Sequence, residues 1–118
     1  MKIFLIGPMG SGKSTIGKVL SERLEYDFYD TDKLVEKVVG KKIKEIFEQN
    51  GEQYFRLKES EELDKTRKLK NAVIATGGGI IENEKNRLFL KEEKKVIFLD
   101  SSIAVSYTHL TLPTKSSG

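Results

Sequence analysis

A strand, a glycine-rich loop and a helix follow one another within the first 24 residues, and the loop constrains all three. Residues 7–15 read Gly-Pro-Met-Gly-Ser-Gly-Lys-Ser-Thr. Gly7, Gly12, Lys13 and Ser14 fill the fixed positions of G-x-x-x-x-G-K-[ST], the pattern of a triphosphate-binding loop. Glycines let successive backbone N–H groups turn inward on an anion. Lys13 can reach the outer phosphates, and the Ser14 hydroxyl can ligate Mg²⁺. Before the loop, residues 2–6 (Lys-Ile-Phe-Leu-Ile) form an apolar run of strand length. After it, Thr15–Leu24 reads as a helix with Ile16, Val19, Leu20 and Leu24 along one apolar face. The loop therefore opens a helix N-terminus, where unpaired N–H groups favour an anion.

The rest of the chain repeats this alternation. Tyr26–Tyr29 reads as a second strand ending at Asp30-Thr31-Asp32. Lys33–Val39 is a helix stopped by Gly40, and Lys42–Asn50 is another, with Gly51 beyond its end. Glu52–Leu69 reads as a long amphipathic helix carrying Phe55, Leu63 and Leu69. Ala72–Ala75 is a buried-type strand running into Thr76-Gly77-Gly78-Gly79. Glu82–Glu93 reads as a helix and Val96–Leu99 as a fourth strand. Such alternation implies an α/β fold: a mostly parallel sheet with right-handed crossovers, covered by helices on both faces. Ligands in these sheets bind beyond the carboxyl ends of the strands. The phosphate loop, Asp30-Thr31-Asp32 and the triple glycine each follow a strand, so all three should meet at one sheet edge.

Composition narrows the class. At 118 residues the chain has room for one small domain. It has no cysteine, hence no disulfide or thiolate metal site. No apolar run is long enough to span a membrane, and the apolar start is too short for a signal peptide. A cytoplasmic protein is expected. The net charge of +3 is spread over lysines interleaved with glutamates, which suits solvated helix faces rather than nucleic-acid binding.

Two carboxylates at i and i+2, Asp30 and Asp32, can face one cation and a substrate hydroxyl, as phosphoryl transfer requires. Asp32 can equally N-cap the following helix. Arg56 offers a planar fork for a carboxylate, with Glu59 on the same helical face to hold it. Sequence alone also allows an unimportant surface ion pair there. Gly77-Gly78-Gly79 marks backbone that must approach something closely, or a plain flexible turn.

Taken in order, the phosphate loop, Tyr-Asp-Thr-Asp, Phe-Arg-x-x-Glu and Ala-Thr-Gly-Gly-Gly resemble the shikimate kinase family over residues 2–100. The resemblance implies a three-layer P-loop NTPase fold like that of nucleoside monophosphate kinases. It also implies transfer of the ATP γ-phosphate to the shikimate 3-hydroxyl, in aromatic amino-acid synthesis. Gly7, Met9, Gly10, Ser11, Gly12, Lys13, Ser14 and Thr15 would hold the phosphates. Lys13 and Asp32 would be catalytic, with Asp32 the base. Asp32, Arg56 and Gly77, Gly78 and Gly79 would bind shikimate. Ser14 and Asp30 would position Mg²⁺. Phe47 and Phe55 match apolar residues beside the ring, although core packing explains them equally. ATP and shikimate are the expected partners of a monomer that binds neither nucleic acid nor membrane. A gluconate kinase, or a non-catalytic nucleotide-binding module, are the other readings.

The end of the chain departs from the family. Shikimate kinases continue into a helix, an arginine-bearing lid near an Arg-Pro-Leu-Leu-like segment, a fifth strand, a further substrate-binding arginine and a terminal helix. None of these is found in residues 101–118, which are rich in Ser and Thr and lack any acid. Val105–Thr114 is similar to the translation of a transposon adapter used in sequencing libraries. That likeness places the end of the native frame near Ala104 and leaves His109 without functional weight. A kinase domain over residues 1–100 that lacks its last strand and lid is therefore expected. Its consequences would be an open sheet edge at Val96–Leu99 and little or no kinase activity.

Overall fold

A computed structural model describes residues 1–8, 10–99 and the backbone of 104–107. The elements follow in the order β1 (Lys2–Ile6), α1 (Lys13–Leu24), β2 (Asp27–Asp30), α2 (Thr31–Val39), α3 (Ile43–Asn50) and α4 (Glu52–Lys65). A 3₁₀ turn (Thr66–Lys68), β3 (Ala72–Ala75), a second 3₁₀ turn (Ile80–Glu82), α5 (Glu84–Lys91), β4 (Val96–Leu99) and β5 (Ala104–Tyr107) complete them. The strands form one sheet in the order β2-β3-β1-β4-β5. The first four are parallel, as the strand–helix alternation requires.

Register brings three loops to one level. Leu5 and Asp30 both pair with Ala75, so β1, β2 and β3 end side by side. The phosphate loop, Asp30-Thr31-Asp32 and Thr76-Gly77-Gly78-Gly79 leave from that edge. Alternate residues of β1 serve opposite faces of the sheet. Phe4 and Ile6 pack with Leu63, Ile74, Ile80, Phe89 and Leu90 beneath α4 and α5. Ile3 and Leu5 join Val73, Leu20 and Phe28 under α1. A third cluster, Val35, Ile46 and Phe55, ties α2, α3 and α4 together beside the sheet.

Four expectations need correction. The face of α1 that meets the sheet is built from Gly17 and Ser21, with Leu20 at its margin, while Ile16, Val19 and Leu24 are exposed. The cause is close approach, since a Cβ on Gly17 would overlap Phe28 and crowd Leu5. Only the smallest residue lets the helix lie that near, and this sets its rotation. The long helix predicted over Glu52–Leu69 ends at Lys65 and tightens to 3₁₀ geometry, with the Thr66 hydroxyl donating to the Leu63 carbonyl at 2.6 Å. The helix predicted over Glu82–Glu93 starts later, at Glu84, because the Asn83 side chain accepts from Lys85 N–H and caps it there.

The fourth correction concerns the sheet edge. β4 is not open at Val96–Leu99: β5 runs antiparallel to it, pairing Val96 with Tyr107 and Leu99 with Ala104. The exposed N–H and C=O groups of an edge strand bond to whatever extended segment is near. Here the next segment along the chain supplies the partners. The remainder of the adapter-like stretch, including His109, lies outside the described residues.

Candidate active site

The phosphate loop takes its shape from positive φ angles at Gly7 (148°), Gly10 (83°) and Gly12 (85°), a region that favours glycine. Gly7 is fixed from below, because a Cβ there would strike the backbone carbonyl of Leu99. Its first duty is to let the loop cross the end of β4. Gly12 heads α1, and no side chain caps that helix end. The first N–H groups of the helix are therefore left for an anion. The Ser11 hydroxyl is buried with no partner among the described residues, a second sign that the loop is shaped for a polar ligand. Met9, the remaining loop residue expected to touch phosphate, lies outside the described residues.

Lys13 is folded back into the loop. Its Nζ donates to the carbonyls of Gly7 (2.7 Å) and Pro8 (2.9 Å), and burial lowers its pKa against the pull of Asp32 and Asp30. The ammonium is held at the floor of a cavity of about 270 Å³ lined by Gly10, Gly12, Ser14, Asp32, Thr76 and Gly77, among others. All three strand-end loops contribute to it, as the sheet-edge argument requires.

Asp30 and Asp32 divide their work differently from the sequence expectation. Asp30, not Asp32, caps α2: its Oδ1 accepts from the N–H groups of Asp32 (2.9 Å) and Lys33 (3.4 Å). Its Oδ2 accepts from the Ser14 hydroxyl at 2.8 Å. One carboxylate thus joins the end of β2 to the start of α1. Asp32 is left free of capping and turns into the cavity. Burial raises its pKa first and the neighbouring Asp30 second, with Lys13 acting in opposition.

A hydroxyl and one carboxylate oxygen, both hard donors, fit Mg²⁺. That ion is commonly held by one or two protein oxygens together with substrate phosphates. Among the described residues no cluster of three or more His, Cys, Asp or Glu is placed to hold a metal ion.

Arg56 lies on α4 at the far side of the triple glycine. It donates to Glu59 at 3.1 Å and to Glu52 at 3.4 Å, and its guanidinium stands over the Phe55 ring. The Glu59 side chain is only 1 % exposed, which rules out the incidental surface pair that sequence allowed. Phe55 is core, whereas Phe47, its ring tilted against that of Phe55 with centroids 5.0 Å apart, is exposed.

The glycines answer to these side chains. A Cβ on Gly77 would stand 2.6 Å from Asp32 Oδ1 and 2.9 Å from Glu59 Oε2, and one on Gly79 would stand 2.7 Å from the Arg56 nitrogens. The Gly77 N–H is engaged within the fold. It donates to the buried Thr31 hydroxyl at 3.0 Å, locking the glycine loop to α2. Nothing in the sequence singles out Thr31 except its place between the two candidate carboxylates, Asp30 and Asp32.

Comparison with known proteins decides the family. The shikimate kinase family model matches residues 9–115. The chain belongs to the shikimate kinase family. It is 46 % identical over 101 residues to a shikimate kinase of Sulfurihydrogenibium sp., covering 86 % of this chain and 61 % of that protein. It is 52 % identical over 94 residues to the bifunctional shikimate kinase/3-dehydroquinate synthase of Thermotoga maritima, covering 80 % of this chain and 19 % of that protein. The solved shikimate kinase of Acinetobacter baumannii in complex with shikimate superimposes with a TM-score of 0.81 at 44 % identity. That match covers 83 % of this chain and 55 % of the solved one. The chain thus spans roughly three fifths of the single-function relative's length. The α/β fold with a parallel sheet is the family's own.

Proposed function

We propose that this chain binds Mg-ATP on Gly10–Thr15 and shikimate on Asp32 and Arg56, and so carries the phosphate and acceptor halves of a shikimate 3-phosphotransferase site. One observation carries the reading: Asp32 faces Lys13 across the cavity and meets the Arg56–Glu59 pair at Gly77. A phosphate anchor, a candidate base and a carboxylate grip therefore stand within one substrate's reach. In the transfer, a bond forms between the acceptor hydroxyl oxygen and the γ-phosphorus as the β–γ bridging P–O bond breaks. The hydroxyl proton passes to Asp32, whose raised pKa brings it closer to the working pH of a general base. Mg²⁺, held by Ser14 and Asp30, would neutralise charge on the phosphate oxygens.

Among the described residues no arginine lines the phosphate cavity. Loss of a transition-state arginine lowers phosphoryl-transfer rates by about three to five orders of magnitude. Within the described residues, Lys13 and the bound Mg²⁺ would carry the charge that develops on the transferring phosphoryl group. Among the described residues no helix is long and apolar enough to cross a membrane.

Calorimetry with each ligand tests the reading. Lys13→Met should abolish Mg-ATP binding and spare shikimate, and Arg56→Ala should do the reverse. Mg-ATP binding with no affinity for shikimate would point to a nucleotide-binding module. Gluconate bound in place of shikimate would point to the other kinase.

A further inference from the structure

Glu59 sits at the bottom of the acceptor side of the site, with its side chain 1 % exposed. Oε1 accepts from Arg56 Nη1 at 3.1 Å. Oε2 is buried and has no partner among the described residues. It lies 2.9 Å, and Asp32 Oδ1 2.6 Å, from the place a Cβ on Gly77 would take. The charged groups around Glu59 are Arg56 on its own helix, Asp32 on α2 and Glu82 on the second 3₁₀ turn. Arg56 is also shared with Glu52. One guanidinium thus serves a cluster of acids, and it reaches only one of the two Glu59 oxygens.

A buried carboxylate is tolerable when its oxygens are paired, and an unpaired one takes up a proton instead. We propose that Glu59 is a neutral acid in the folded chain. It carries its proton on Oε2 and orients Arg56 through Oε1, leaving the guanidinium charge uncancelled for an anionic ligand. Desolvation, opposed by Arg56 and aided by Asp32 and Glu82, raises its pKa in the same direction. Glu59 is accordingly a positioning residue that acts through Arg56. The protonation stands on local geometry, and only the consequence for ligand charge rests on reading Arg56 as the carboxylate grip.

Infrared spectroscopy of the full chain at pH 7 tests it. A carboxylic-acid C=O band should be present in the unsubstituted chain and in Glu62→Gln, a control at the other buried glutamate. It should be absent from Glu59→Gln. No such band, or one that survives Glu59→Gln, overturns the proposal. Should Glu59→Gln fail to fold, ¹³C-carboxyl NMR of the glutamate-labelled natural chain decides. One protonated glutamate at pH 7 supports the proposal, and carboxylate shifts for every glutamate refute it. The shikimate dissociation constant should rise at least about fivefold as that glutamate titrates on alkalinisation, through loss of free guanidinium charge. Absence of shikimate binding at every pH would reject the grip assigned to Arg56 and leave the infrared band to decide the protonation.

Discussion

Gly79 lies flat against Arg56, so near that a Cβ on the glycine would stand 2.7 Å from both terminal guanidinium nitrogens. The obstacle is the far end of a flexible side chain, half-buried and open to solvent on one side. Gly79→Ala should therefore cost about 1–3 kcal/mol of stability, because Arg56 can swing aside only by releasing the buried Glu59. The same swing removes the planar fork from its place, and fork geometry is what a bidentate grip requires. Shikimate affinity should fall at least about tenfold while Mg-ATP affinity is unchanged, read by calorimetry beside a urea melt. Unaltered shikimate binding in this variant would dissociate the glycine from the grip.

How far this site could be read from sequence depends on the range of the interactions concerned. The phosphate loop, all four parallel strands and the convergence of three loops were legible, because spacing and apolar runs encode them locally. The buried face of α1 was not. Ile16, Val19 and Leu24 satisfy helical periodicity, yet the sheet selects Gly17, and the reason sits on Phe28 of β2. Likewise, Asp32 reads as a cap for the following helix, whereas Asp30 accepts from the Asp32 and Lys33 N–H groups and takes that place. Glu59 read as a surface partner because nothing local announces that α4 buries that position. The pairing of β5 with β4 escaped notice since a short Ser-containing segment carries no periodic signal of its own.

Asp30 performs two tasks with two oxygens, and substitution can separate them. Oδ1 caps α2, and Oδ2 accepts from Ser14. Asparagine is as good a cap as aspartate, whereas alanine is not. Asp30→Ala should lose about 1 kcal/mol of stability and Asp30→Asn a few tenths. Both remove the carboxylate charge, so both should abolish the Mg²⁺ dependence of ATP affinity. Thermal melts and titrations with and without Mg²⁺ resolve the two effects. An Asp30→Asn variant that keeps the full Mg²⁺ response would remove Asp30 from the metal site.

Stability should respond to pH through Asp32 and Glu59. Both have folded-state values raised above their ordinary 3.8 and 4.5, mainly by burial. Above those ordinary values the folded chain binds more protons than the unfolded one, so stability falls as pH rises toward the folded values. Lys13, lowered by burial, has the opposite slope, confined to the range below its ordinary 10.5. Asp32→Asn and Glu59→Gln remove the acidic contribution. Their melting temperatures should therefore gain on the natural chain as pH is raised from about 4.5 to 8. A constant difference across that range would mean that neither carboxyl is shifted by folding.

Three glycines near the phosphate loop look alike in sequence and should differ sharply under substitution. Gly10 has φ 83° and nothing within 4 Å of a Cβ, so Gly10→Ala adds only backbone strain of about 1–2 kcal/mol. Gly17 is helical, so alanine gains about 1 kcal/mol of propensity there. Against that, overpacking onto Phe28 and Leu5 costs about 1–3 kcal/mol, which leaves a net loss. Gly7 combines φ 148° with direct overlap on the Leu99 carbonyl, a backbone atom that cannot rotate away. Gly7→Ala must separate the loop from β4, at a cost of about 2–5 kcal/mol from strain and overpacking together. Urea denaturation should rank Gly7→Ala as the most damaging of the three. If it melted with Gly10→Ala, the loop would be shaped by its ligand rather than by the strand beneath it.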